Sequence, residues 1–191
     1  MSFFRVFRGQ SGFELNKIRI IGGTHRSRYI EFPDAEGLRP TPDRVRETLF
    51  NWLGQTLYGK RCLDLFAGSG ALGFEAASRG AEQVLMVENN RTVYQALQSN
   101  IRKLALSNVA LRCEDGLKFA RQENGLFDVV FLDPPFKSDY LPQLLPLLEN
   151  SLAQDGVVYL ESGTAFEPEA AWKVLKRAKA GAVHYQLLER V

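Results

Sequence analysis

From Arg61 onward, short apolar runs and helix-forming stretches take turns along the chain, and this alternation limits the fold more than any other feature. "RCLDLF" (61–66), "QVLMVE" (83–88), "VALRC" (109–113), "FDVVFLD" (127–133) and "GVVYLES" (156–162) read as strands. Between them lie "ALGFEAASRG", closed by Gly80, and a long helix through "YQALQSNIRKLAL" that Asn90 can cap. A short helix follows Asp115, and "YLPQLLPLLENSL" reads as helical even with Pro142 and Pro146 in it. Apolar strands alternating with helices imply a mostly parallel α/β sheet with both faces covered. "WKVLKRAKAG" and "AVHYQLLER", on either side of Gly181, add two strands that supply an antiparallel edge, for a seven-stranded sheet.

The first sixty residues follow another pattern. "IRIIG" (18–22) and "RYIEF" (28–32) flank "GTHRS" and predict a hairpin. In "RPTPDRVRETLFNWLGQTL" the reading is a helix with Thr41 as N-cap, Pro42 at the first helical position and Asp43 in the first turn. Val45, Leu49, Trp52 and Leu53 recur at helical spacing and face a core. Residues 1–17 are expected to be a flexible extension, 18–58 a hairpin-and-helix addition, and 59–191 the ligand-binding catalytic domain. Net charge is only +2, yet residues 1–30 hold Arg5, Arg8, Lys17, Arg19, Arg26 and Arg28 against Glu14 alone. That concentration of positive charge fits a polyanionic partner. Cys62 and Cys113 lack a C-x-x-C spacing and read as reduced core thiols. No apolar run reaches membrane-spanning length, and "MSFFRVFRGQSG" lacks the core of a secretory signal, so the expected location is the cytoplasm.

"LDLFAGSGALGFEA" (63–76) contains the G-x-G-x-x-G spacing associated with dinucleotides. Ligands of open α/β sheets bind beyond the carboxyl ends of the strands, at the switch point. Asp64 stands near that end of the first strand, where its charge would repel a pyrophosphate and attract an ammonium or sulfonium. Gly68 and Gly70 permit a tight turn close to a ligand. Glu88, ending the second strand, is placed for ribose hydroxyls, and Asp115, after the third, for an adenine amino group. The loop therefore favours a cationic nucleoside.

"DLFAGSG" (64–70) resembles the first motif of class I S-adenosylmethionine-dependent methyltransferases, and "DPPF" (133–136) their fourth, as found in amino-group methylases of nucleic-acid bases. "RIIGGTHRSR" (19–28) and "RPTPDRVRETLFNWL" (39–53) are similar to one subfamily in particular, RsmD. The resemblance runs from about Ile18 to the C-terminus. It implies a Rossmann-like class I methyltransferase fold, S-adenosylmethionine as cofactor, and methylation of the exocyclic N2 of a guanine in bacterial 16S ribosomal RNA. It also implies a small ribosomal subunit, partly or fully assembled, as partner, and Phe66, Asn89 and Gly116 as further cofactor-binding residues. A sulfonium methyl is already electrophilic, so no metal is expected, and the small size fits a monomer.

The chemistry of "DPPF" fits that activity. Each proline holds the residue before it extended and lacks an N–H, so the loop is stiff and offers acceptors. Asp133 and the Pro134 carbonyl are the candidate acceptors for the amine hydrogens, and Phe136 would stack on an unstacked base. Arg19, Arg26, Arg28 and Arg39 are candidates for flanking phosphates. Two other readings stay open: a DNA adenine-N6 methyltransferase, which shares a similar loop but needs a sizeable recognition region, and a non-catalytic RNA-binding protein with a vestigial pocket. A protein or small-molecule methyltransferase fits the glycine motif but not the amine loop. His25, His184, Trp52 and Trp172 read as structural or surface residues.

Overall fold

The computed structural model describes residues 15–35, 37–122, 125–135 and 139–191. β1 (Leu15–Arg19) and β2 (Tyr29–Pro33) form the expected antiparallel hairpin, with Ile18 opposite Ile30. β1 begins before the expected boundary, because Leu15, Asn16 and Lys17 pair with Pro33, Phe32 and Glu31. The rest of the expected extension, residues 1–14, lies outside the described residues. α1 (Asp43–Trp52) also starts later than read: Pro42, not Thr41, is the capping residue, and no side chain caps this end. The Thr41 hydroxyl is engaged elsewhere, donating to Glu161 Oε1 at 3.1 Å.

The sheet comprises β3 (Arg61–Asp64), β4 (Gln83–Val87), β5 (Val109–Arg112), β6 (Phe127–Leu132), β7 (Leu152–Ser162), β8 (Trp172–Ala180) and β9 (Val183–Arg190). Their order is β5-β4-β3-β6-β7-β9-β8. The pairs from β5 through β7 are parallel, while β9 pairs antiparallel with both β7 and β8, giving the antiparallel edge. The helices are α2 (Ala71–Ser78), α3 (Arg91–Leu104), α4 (Gly116–Gln122) and α5 (Tyr140–Leu148). Asn90 caps α3 as expected, its side chain accepting from the N–H groups of Thr92 and Val93. Pro146 sits inside α5 without ending it.

One core lies on each face of the sheet. Phe50 of α1, Phe74 of α2 and Leu97 of α3 join Met86, Phe131 and Tyr159 on one face, and the hairpin adds Ile18, Ile20, Ile30 and Phe32 to the same cluster. Phe119 and Leu144 pack with Leu132 and Leu160 on the other. The N-terminal addition thus shares the core of the sheet. Asn100 of α3 fastens the hairpin by serving as a strand partner for Glu31, accepting from its N–H at 3.0 Å and donating to its carbonyl at 2.7 Å. Cys62 is buried in β3, but Cys113 is exposed, contrary to its reading as a core thiol, because the edge strand β5 ends at Arg112. Both are free.

A buried ionic cluster, absent from the sequence reading, joins the hairpin to α1 and α2. Glu75 has no exposure and accepts from Arg46 Nη1 at 3.2 Å, Arg79 Nε at 2.8 Å and the Ile21 N–H at 2.9 Å. Arg46 also donates to the Thr41 and Arg19 carbonyls and to Asp43. Arg79 reaches the Gln55 carbonyl and lies over the Phe50 ring. Each charge is therefore compensated by geometry, which buried ions require.

Candidate active site

The sheet reverses its winding at β3, whose neighbours are β4 on one side and β6 on the other. Beyond the carboxyl ends of such strands lies the ordinary ligand crevice of an open sheet. Asp64 stands in register with Met86 of β4 and Phe131 of β6, and Phe131 with Tyr159 of β7. Glu88, Asp133 and Glu161 each follow two residues later on their strands, hence on the same face. Four carboxyl groups from four neighbouring strands share one edge.

Asp64 organises the glycine turn. Its Oδ2 accepts from the Gly73 N–H at 2.9 Å, and the Ser69 hydroxyl accepts from the Ala71 N–H. A helix N-terminus that binds pyrophosphate must offer those N–H groups to the ligand. Here Ser69 and Asp64 occupy two of them, the Ala71 and Gly73 N–H groups, which leaves fewer donors for a phosphate. Gly70 has φ +81°, and a Cβ there would meet Phe74 and Leu97. A Cβ on Gly73 would stand 3.0 Å from Asp64 Oδ2, so only glycine lets its N–H come so near. Burial, opposed by the Gly73 hydrogen bond and reinforced by the Glu88 charge, pushes Asp64 up to about 7.

Glu88 bridges two loops, Oε2 accepting from the Gly68 N–H at 2.9 Å and Oε1 from the Asn90 N–H at 2.7 Å. Asn89, beside it, is exposed. Asp115 accepts from the Lys118 N–H at the start of α4. Gly116 packs against the strand-end backbone, where a Cβ would come within 2.7 Å of the Leu65 carbonyl and 3.0 Å of Phe66. Phe66 stacks on Tyr140 at 5.5 Å.

Asp133 is partly exposed and Pro134 buried, immediately after β6. Burial of the carboxyl, then the charges of Glu161 and Asp64, hold Asp133 well above the ordinary carboxylate range. Phe136, the expected stacking residue, lies outside the described residues. Glu161 was missed by the sequence reading, although a carboxylate closing an apolar strand was its available signal. It is 3% exposed, accepts from Thr41 and Tyr159, and burial raises its pKa too.

The four arginines do not gather around this edge. α2 runs back from the edge, so Ser78 and Arg79 lie at the opposite end of the sheet. The hairpin tip docks there: the Thr24 N–H donates to the Ser78 carbonyl, and the His25 N–H to the Ser78 hydroxyl. His25 Nε2 also meets the Leu104 carbonyl at 3.0 Å, which makes this histidine a docking residue rather than a phosphate ligand. Exposed Arg26 lines a groove of about 620 Å³ there with Glu47, Tyr58 and Arg79. Exposed Arg28 lies beside Lys17 and Lys103. Arg19 is on β1, 3.9 Å from Asp43, and exposed Arg39 precedes the Thr41 contact with Glu161. Trp52 packs on Tyr185 and Trp172 is buried, as read.

A parallel sheet with an antiparallel edge, a glycine turn capped by an internal carboxylate, and an Asp-Pro-Pro turn on the adjacent strand define a Rossmann-like methyltransferase. The chain matches the family model described as "Conserved hypothetical protein 95" over residues 18–189. It is 43% identical over 180 residues to the Escherichia coli K12 protein named "Ribosomal RNA small subunit methyltransferase D", covering 91% of this chain and 90% of that one. The solved structure of yhhF from Escherichia coli superposes with a TM-score of 0.82 at 41% identity, covering 92% and 98% of the two chains. A Thermus thermophilus 16S rRNA N2 G1207 methyltransferase (RsmC), solved with AdoMet and guanosine, gives a TM-score of 0.69 at 25% identity, over 92% of this chain and 49% of that one. The chain belongs to the RsmD family of methyltransferases.

Proposed function

We propose that the protein methylates the exocyclic N2 amino group of a guanine in 16S ribosomal RNA, with S-adenosylmethionine as donor. The observation that carries this reading is that the Asp64–Glu88 pair and the Asp133-Pro134-Pro135 turn share one edge and one face of the sheet. The names of its relatives, an rRNA small-subunit methyltransferase and a 16S rRNA N2 methyltransferase, support it.

When bound, S-adenosylmethionine supplies an electrophilic methyl group, so no metal is needed to activate it. Glu88 would receive the ribose hydroxyls, Asp64 would face the positive charge, and Asp115 would meet the adenine amino group, with Phe66, Gly68, Gly70, Asn89 and Gly116 shaping the pocket. A cation in this pocket favours ionised Asp133. In that form the Asp133 carboxylate and the Pro134 carbonyl would accept hydrogen bonds from the guanine amine and orient its nitrogen; as nitrogen takes the methyl group from sulfur, the carboxylate would take the proton that leaves. Orientation of this kind is worth on the order of 7–11 kcal/mol in well-placed systems. Phe136 would hold the flipped base by stacking. Arg39 and Arg19 would grip phosphates near the reaction edge, and Arg26 and Arg28 would extend that track to the hairpin tip, on the order of 20 Å away. A reach of that length suits a folded ribosomal substrate, on which the enzyme would act as a cytoplasmic monomer.

Incubation with labelled S-adenosylmethionine and either small-subunit particles or duplex DNA tests the reading. N2-methylguanine in 16S rRNA is the expected product, whereas label in DNA adenine would refute it. Replacing Arg26 and Arg28 with alanine is expected to weaken RNA binding and to lower the log–log salt slope by about 0.7–0.9 per lost phosphate contact. Cofactor affinity should not change. Equal RNA affinity at several salt concentrations would remove the hairpin tip from the interface.

Cofactor binding should also depend on pH. Asp64 titrates at about 7 in the free protein, held up by burial. A bound cation favours its ionised form, so affinity is present above that pH and is lost as pH falls through it. The expected loss is up to about tenfold per pH unit below that value. Calorimetry on wild type and Asp64→Asn checks this. A variant with the same pH slope as wild type would assign the dependence to another group.

A further inference from the structure

Glu161 has no part in the chemistry derived so far, yet it occupies the reaction edge. In the parallel β6–β7 pair, Leu132 is in register with Leu160, so the next step along both strands brings Asp133 abreast of Glu161. Neighbouring strands lie about 4.8 Å apart, so side chains from both can converge on one base edge. The Glu161 side chain is held in place: the Thr41 hydroxyl donates to Oε1 at 3.1 Å and the Tyr159 hydroxyl at 2.8 Å. Neither contact uses Oε2. Among the described residues no sealed side-chain oxygen or nitrogen lacks a partner, so Oε2 keeps access to solvent and can accept a further hydrogen bond. A nearly buried carboxylate is thus clamped by one oxygen and presents the other beside the amine-binding turn.

We propose that Glu161 determines base specificity by accepting the N1–H of the target guanine while Asp133 and Pro134 hold its N2 amine. This rests on the guanine-N2 reading above. Guanine carries adjacent N1–H and N2–H donors, whereas adenine presents a lone pair at N1, which a carboxylate repels. Thr41 lies in the segment leading into α1, so the N-terminal addition reaches the base-reading residue directly.

2-Aminopurine provides the test, because it keeps the 2-amino group but has a lone pair in place of N1–H. Small-subunit RNA carrying guanine or 2-aminopurine at the methylated position is assembled into particles, and kcat/KM is measured for each. Wild type is expected to prefer guanine by about 100-fold or more, as sites built around a substrate donor reject analogues lacking it. Glu161→Gln keeps an acceptor for Thr41 and Tyr159 and replaces the other oxygen by a donor. It should bring the preference below about tenfold, by losing guanine and gaining 2-aminopurine, with unchanged cofactor affinity by calorimetry. An unaltered ratio in a variant that still binds cofactor overturns the proposal. So does a wild-type enzyme that methylates both bases equally well, whatever the variant's folding. If wild type forms no N2-methylguanine, the functional reading fails first and this inference with it; a selective enzyme with an indifferent Glu161 sinks only the inference.

Discussion

Asp133→Ala is expected to lower turnover by about 10²–10⁴-fold while leaving S-adenosylmethionine affinity within a few-fold of wild type. The separation follows from the sheet: Asp64 and Glu88 belong to β3 and β4, and Asp133 follows β6 on the other side of the switch point. Losing the carboxylate leaves only the Pro134 carbonyl to orient the amine and no side chain to take its proton. Stability should move the opposite way. Asp133 is held above the usual carboxylate range by burial, then by Glu161 and Asp64. A carboxylate with a raised folded-state pKa destabilises the fold at pH above its unfolded value, and this penalty fades as pH falls below the folded value. Thermal melts at about pH 8 should therefore show the variant, and Asp133→Asn as the isosteric control, melting higher than wild type, with the gap closing toward about pH 4. Single-turnover methylation at saturating cofactor measures the first effect. Full turnover in the variant would remove Asp133 from the mechanism.

Glu75→Ala should produce the largest loss of stability, about 3–5 kcal/mol, because it strands two buried guanidinium groups. Arg46 retains Asp43 and two carbonyls, and Arg79 retains the Gln55 carbonyl and the Phe50 ring. What both lose is their shared buried counter-charge. Ile21 loses its N–H acceptor as well, so the hairpin should loosen along with α1 and α2. Domains of this size are stable by only about 5–15 kcal/mol, so the loss would take from about a fifth to all of the original margin. Denaturant midpoints measure the loss, and proteolysis within the hairpin reports its release. Adding Arg46→Met and Arg79→Met to Glu75→Leu should recover much of the stability, since apolar replacement of the whole ionic group removes the desolvation penalties of all three charges together. A loss below about 1 kcal/mol for Glu75→Ala would show that the cluster does not tie these elements together.

Local chemistry made much of the fold legible. The apolar runs from Arg61 to Ser162 are strands because their side chains are covered on both faces, and Asn90 caps α3 because its side chain meets N–H groups two and three residues away. Thr41 was misread by the same rule: its hydroxyl has a partner 120 residues ahead, so the helix begins without it. Arg46, Glu75 and Arg79 look in sequence like charges on solvated helix faces, and nothing within a turn or two reveals that they are buried together. The placement of Asp64, Glu88 and Asp133 at the carboxyl edge was legible because each closes an apolar run. Glu161 closes a strand equally well and was passed over for want of a motif around it.

The sequence by itself determined the kinds of elements, their order, and the turns that follow β3 and β6, since each depends on periodicity or on backbone groups only a few residues apart. Only the tertiary structure decided which charges meet. Sheet order set Asp133 beside Glu161, and hairpin docking carried Arg26 away from that carboxylate edge to the Ser78 end of α2. Electrostatic and hydrogen-bonding partners are selected by distance in space, and in a sheet whose strand order departs from chain order that distance is not written between neighbours in the chain.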